Sequence, residues 1–111
     1  MEEQPTQLRK GALELAVLAI LSSGPRYGVE LVAELAARRG LDAGSGTIYP
    51  LLTRLKKSGL VATTWQESPV GPPRKYYTLS NAGRQQLASQ LLAWSHLVSA
   101  MTQLLEENGD D

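Results

Sequence analysis

Ile48, Leu51, Leu52 and Leu55 stand at i, i+3, i+4 and i+7, a spacing that gathers them into one narrow apolar stripe on a helix. The opposite side of that helix carries Gly46, Pro50, Thr53 and Lys57. Ser58-Gly59 closes it, and residues 60–67 then alternate as a strand, with Val61, Thr63 and Trp65 on one side and Leu60, Ala62 and Thr64 on the other. Residues 75–79 return as the partner strand, so Tyr76 and Tyr77 point to opposite faces, one toward the core and one outward. The connection Ser68-Pro69-Val70-Gly71-Pro72-Pro73 is too long for a two-residue turn, and its prolines stiffen the tip. A one-sided helix followed at once by a rigid-tipped hairpin leaves few options: the helix lies on a core with its polar side out, and the hairpin projects beside it.

The start of this helix has two readings. With Thr47 as N-cap, Pro50 stands at N3, where its missing amide proton costs nothing. With a start at Ser45, Pro50 falls inside the helix and distorts the first turn. Upstream, residues 6–22 read as a largely buried helix with Leu8, Leu15, Leu18 and Ala19 among its apolar positions, ended by Ser23-Gly24-Pro25. Residues 27–38 form a second helix with Leu31, Val32 and Leu35 inward and Gly40 as a left-handed stop, and residues 41–44 form a turn. The expected fold is mainly α with a small β-hairpin (α+β), a helix-turn-helix with a wing.

Downstream, Ser80 is the expected N-cap of a last helix reaching about residue 107, with Gly83 where a capping box would place Glu or Gln. Leu87, Leu91, Trp94, Val98, Met101 and Leu105 are spaced 4, 3, 4, 3, 4, a heptad seam of nearly three repeats. Either a second copy of the chain or the chain's own domain covers that seam. Leu92, Leu97 and Leu104 offer a second edge for the domain, so the seam is assigned to a homodimer. Residues 1–79 are expected to form the winged domain, and residues 80–111 the dimerisation helix and a frayed tail.

Lys plus Arg and Asp plus Glu each number 11, for a formal charge of zero, yet the charges are sorted along the chain. Residues 1–37 balance at −2 and residues 85–111 at −4, whereas residues 38–84 reach +6 through Arg38, Arg39, Arg54, Lys56, Lys57, Arg74, Lys75 and Arg84 against Asp42 and Glu67. The basic block coincides with the helix and the hairpin, where duplex DNA would lie. The chain has no cysteine, one histidine (His96) and no glycine-rich phosphate loop. No enzyme site, metal or cofactor is therefore expected. Without an 18-residue apolar run or a basic leader, the expectation is a cytoplasmic protein with no membrane partner.

A helix of this kind fits the major groove with its N-terminal end and outer face toward base edges. Ser45, Thr47, Tyr49 and Thr53 offer hydrogen-bonding groups there, and Arg54 and Lys57 lie further along for phosphates or guanine. Arg74 and Lys75 follow the Pro-Pro pair at the tip, placed for the phosphate backbone or the minor groove. Two such units on a dimer would enter successive major grooves of a near-palindromic operator, about one helical turn apart. The competing reading is a winged-helix protein-interaction module that binds no DNA.

Three stretches stand in order along the chain: Arg26-Tyr27-Gly28-Val29-Glu30; Gly46-Thr47-Ile48-Tyr49-Pro50-Leu51-Leu52 with Arg54-Leu55 and Gly59-Leu60; and Gly71-Pro72-Pro73-Arg74-Lys75-Tyr76-Tyr77-Thr78-Leu79 with Ala82-Gly83-Arg84. Taken together they resemble the PadR family of bacterial transcriptional regulators. The likeness spans nearly the whole chain. It implies a dimeric winged-helix repressor of the short subfamily, whose single C-terminal helix mediates dimerisation, and it adds Tyr27 to the DNA-binding set. Gly44 departs from the better cap common in such proteins. In multidrug-sensing relatives a tryptophan of the C-terminal helix pairs across the dimer axis and sandwiches flat, often cationic compounds. Trp94 resembles that residue, which implies a planar aromatic effector; the alternative is an indole that simply fills the dimer seam.

Overall fold

The computed structural model describes residues 7–109. Its elements run α1 (Gln7–Leu21), β1 (Arg26–Tyr27), α2 (Gly28–Ala36), α3 (Ser45–Lys57), β2 (Val61–Gln66), β3 (Arg74–Leu79) and α4 (Asn81–Gly109). The strands form one antiparallel sheet in the order β1-β3-β2. Among the described residues no helix is long and apolar enough to cross a membrane.

All four residues of the α3 stripe, Ile48, Leu51, Leu52 and Leu55, are buried. They meet Leu13, Val17, Leu18 and Leu21 of α1, Leu31 and Leu35 of α2, and Val61, Tyr77 and Leu79 of the sheet in one core. Burying each such side chain is worth about 1.5–3 kcal/mol, so the core fixes which face of α3 turns outward. In α1, Leu8 and Ala19 are exposed, contrary to the expectation of a largely buried helix. Thr6, its expected first residue, lies outside the described residues.

The capping pattern decides the start of α3. Gly44 is the N-cap, and its carbonyl accepts the amides of Thr47 at 3.0 Å and Ile48 at 3.1 Å. The Thr47 cap is thereby overturned, and Pro50 stands inside the helix. It occupies the exposed face, where its ring meets no core. At the other end Gly59 adopts φ +77°, the left-handed region that favours glycine. Gly59 N–H donates to the Lys56 carbonyl and Leu60 N–H to the Leu55 carbonyl, both at 3.0 Å, closing α3 with a Schellman turn.

The same corner starts α4. Ser80 Oγ accepts the Gly83 amide at 3.0 Å and donates to the Gly59 carbonyl at 2.6 Å, while Ser80 N–H donates to the Leu60 carbonyl at 3.1 Å. Ser80 is the expected cap. Glycine is required three residues later because a methyl on Gly83 would overlap the Leu60 carbonyl oxygen and lie 2.7 Å from Leu79 Cδ1.

Two further expectations are corrected. The segment expected to open the second helix forms a third strand, because Arg26 and Tyr27 pair with Tyr77 and Tyr76 of β3. Helix α2 therefore starts at Gly28 and ends at Ala36, two residues short of the expected end. Leu87, assigned to the heptad seam, is 8% exposed and belongs to the domain core, because the first two turns of α4 lie against the sheet and α1.

Candidate nucleic-acid interface

Burial of its stripe leaves α3 with Ser45, Gly46, Tyr49, Pro50, Thr53, Arg54, Lys56 and Lys57 exposed. The expected contact residues do not all share one outward face. At 100° per residue, Thr47 and Tyr49 lie about 160° apart around the helix axis. Thr47 is half-buried on one flank, and Tyr49 leans on the other toward α2 and the sheet. The Tyr49 ring rests on Gly28, where any side chain would overlap it. Thr53 Oγ1 donates to the Tyr49 carbonyl at 3.0 Å, leaving its lone pairs outward. Arg54 and Lys57 stand on the last turns, and among the described residues no ion pair involves them.

The hairpin departs from the domain as it lengthens. Val61 is buried, Thr63 half-buried and Trp65 68% exposed on the same face of β2, so the inward side of the strand runs off the core before the tip. Arg74 and Lys75, half-buried, begin β3. With Tyr27, Gly28, Val29, Tyr49, Val70, Pro72, Pro73 and Tyr77 they line a cleft of about 440 Å³ between hairpin and helices. All four tyrosines of the chain stand at or beside this cleft. Arg74 Cζ lies 4.7 Å from the Tyr27 ring centre, and Lys75 Nζ lies 5.7 Å from that of Tyr77. Tyr27 meets Tyr76 edge to face at 5.5 Å. Tyr77 is the inward ring, as alternation requires, but Tyr76 is half-buried beneath Tyr27 rather than exposed. Burial, and secondarily the neighbouring Tyr49 phenol, push the Tyr77 hydroxyl above its ordinary pKa.

Gly28, Val29 and Val70 of this cleft were not among the expected contact residues. Gly28 and Val29 stand in the first of the stretches that carry the resemblance, but nothing local says that a ring from another helix covers Gly28.

A second concavity lies between α1 and α4, about 330 Å³, lined by Gln7, Leu8, Gly11, Ala12, Leu15, Gln90, Ala93, Trp94 and Leu97. Along α4, Leu91, Trp94, Leu97, Val98, Met101, Leu104 and Leu105 are all between 41% and 66% exposed. At 100° per residue these seven fall within an arc of about 140°. Leu97 and Leu104, expected on a second edge, thus join the stripe, and Leu92 lies apart from it.

The model of the transcriptional regulator PadR-like family matches residues 17–89. Transcriptional regulator Rv3488 of Mycobacterium tuberculosis is 31% identical over 91 residues, 82% of this chain and 83% of that protein. Among solved structures, a PadR-like transcriptional regulator from Bacillus cereus superposes with a TM-score of 0.82 at 36% identity, covering 90% of this chain and 97% of that one. A Streptococcus transcriptional regulator gives 0.81 at 38% identity, covering 89% and 97%.

Proposed function

This chain belongs to the transcriptional regulator PadR-like family, whose members regulate transcription by binding DNA and are not enzymes, and from that premise we propose a homodimeric, sequence-specific repressor that answers to a planar aromatic effector. One observation carries the reading: Tyr49 of α3 and the Arg74–Lys75 pair line a single cleft, and the same helix leaves Thr53, Arg54 and Lys57 exposed, although the chain as a whole is electrically neutral. Ser45, Thr53, Arg54 and Lys57 face the major groove. Tyr49 and Thr47 line its edges, and Arg74 and Lys75 meet the backbone alongside, with Tyr27 beneath Arg74.

The apolar arc of α4 supports the dimer, since a stripe of seven large side chains held in water is the kind of surface a second copy covers. Leu91, Trp94, Val98, Met101 and Leu105 form the seam in this assembly. The DNA-binding unit, residues 1–79, and the dimerisation unit, residues 80–111, share the first turns of α4 through Leu87. Paired in this way, two α3 helices reach half-sites of a near-palindromic operator about one turn apart, and occupancy blocks polymerase. The setting is the bacterial cytoplasm, where the chromosome lies.

Footprinting on the promoter of its own gene, with titration against random duplex, tests this reading. Arg74→Ala combined with Lys75→Ala weakens binding to every sequence alike and lowers the salt slope by about two units. Thr53→Ala instead changes the preference between operators. A salt-independent response, or equal losses from both sets, contradicts the assignment. The α1–α4 groove supports the effector role because Trp94 offers a large π-face within an apolar lining. In a Trp65→Phe background Trp94 is the sole indole, and its fluorescence shifts on addition of planar cationic compounds. An unmoved signal from an intact dimer removes the pocket from the proposal.

A further inference from the structure

Strand β1 is only two residues long, yet it places Tyr27 directly across from Tyr76. The two rings meet at 5.5 Å and 63°. Tyr27 is fixed again by its backbone N–H, which donates to the Glu30 carboxylate at 3.0 Å, and it is the residue that caps α2. Arg74 shares a face of β3 with Tyr76, because side chains alternate along a strand. Its guanidinium lies 4.7 Å above the Tyr27 ring. Among the described residues no carboxylate pairs with it.

An aromatic ring holds a guanidinium by its plane, which leaves the N–H edge free for two parallel bonds to a phosphate. An arginine side chain that is loose in water loses rotamer freedom on meeting a phosphate; one already laid on a ring has less to lose.

We propose that Tyr27 is a positioning residue for Arg74: its ring, anchored by β1, presents the guanidinium edge-on to a DNA phosphate beside the start of α2. The role rests on the reading of the wing as a DNA-binding element. It differs from a direct tyrosine contact to DNA, in which the hydroxyl is the working group.

The test is a double-mutant cycle on the full chain, with Tyr27→Leu, Arg74→Gln and their combination, alongside Tyr27→Phe and Arg74→Lys. Anisotropy of a labelled random duplex is read across a salt series, and thermal unfolding is read in parallel. Arg74→Gln is expected to lower the salt slope by about one unit. Tyr27→Leu weakens binding about fivefold at fixed salt, and in that background Arg74→Gln costs several-fold less than in the wild type. Tyr27→Phe keeps the ring face and stays within about twofold of wild type. Arg74→Lys leaves the tyrosine undisturbed and serves if Tyr27→Leu unfolds: it keeps the salt slope and loses about threefold in affinity, since an ammonium lacks the planar fork.

Losses from Tyr27→Leu and Arg74→Gln that simply multiply overturn the role, as does Tyr27→Phe binding as poorly as Tyr27→Leu, or Arg74→Lys binding like wild type. A wild-type protein without salt-dependent duplex binding overturns the proposed function, and this role with it. Normal wild-type binding with multiplying losses overturns this role alone.

Discussion

Val98→Glu together with Met101→Glu yields a folded monomer whose affinity for a palindromic operator is about a hundredfold lower than that of the wild type. Both side chains sit in the apolar arc of α4, 42% and 46% exposed, and neither belongs to the domain core. Their replacement leaves the domain core intact, so the melting temperature at low protein concentration changes little. In the paired state, four carboxylates would face one another in a desolvated seam, and burying unpaired charge costs several kcal/mol. Loss of pairing removes the linkage between two half-site contacts, and such linkage typically contributes about 10²–10⁴ in apparent affinity. Sedimentation checks the first half of the prediction and titration on one-half-site and two-half-site duplexes the second. Affinity for the single half-site is expected to hold. A variant that still sediments as a dimer moves the interface elsewhere.

Gly83→Ala is expected to destabilise the fold by about 2–4 kcal/mol, large for the addition of one methyl group. The methyl would overlap the Leu60 carbonyl oxygen, approach Leu60 C at 3.1 Å and lie 2.7 Å from Leu79 Cδ1. Leu79 can turn aside, but the carbonyl is backbone and already accepts the Ser80 amide at 3.1 Å. Relief therefore means lifting the start of α4 off the sheet, which breaks the hydrogen bond and opens the core around Leu87. Helix propensity alone predicts the opposite sign, since alanine in a helix is favoured over glycine by about 1 kcal/mol. Chemical denaturation of the variant decides between them.

The parts legible in the sequence are those governed by a period. The α3 stripe, the alternation of β2 and the long apolar face of α4 each follow from a repeat that one segment carries by itself. What was not legible depends on a partner distant in sequence. Tyr27 read as the opening of a helix because a two-residue strand holds no alternation, and only β3 makes Arg26 and Tyr27 a strand. Leu87 obeys the heptad spacing as well as Leu91 does, and its burial is decided by where α4 meets the sheet. Thr47 competed with Gly44 for the cap of α3, and the glycine prevailed although it lends no side chain, because its carbonyl accepts the amides of Thr47 and Ile48. Within the candidate interface, residue types were readable and their directions were not. Tyr49, expected among the outward groups, is exposed and also leans on Gly28, a contact no local pattern announces, while the pairing of Tyr27 with Arg74 joins residues far apart in the chain.

The Ser80 hydroxyl bridges the final turn of α3 and the opening turn of α4 through Gly59 and Gly83, with no slack segment between the two helices. From this pivot α4 runs 29 residues, about 43 Å at 1.5 Å per residue, its first turns packed on the domain through Leu87 and the rest continuing as one unbroken helix. In the proposed dimer, a rotation of a few degrees at its far end, from a tilt of the second copy's helix or from an effector beside Trp94, would reach α3 with no joint in between to absorb it.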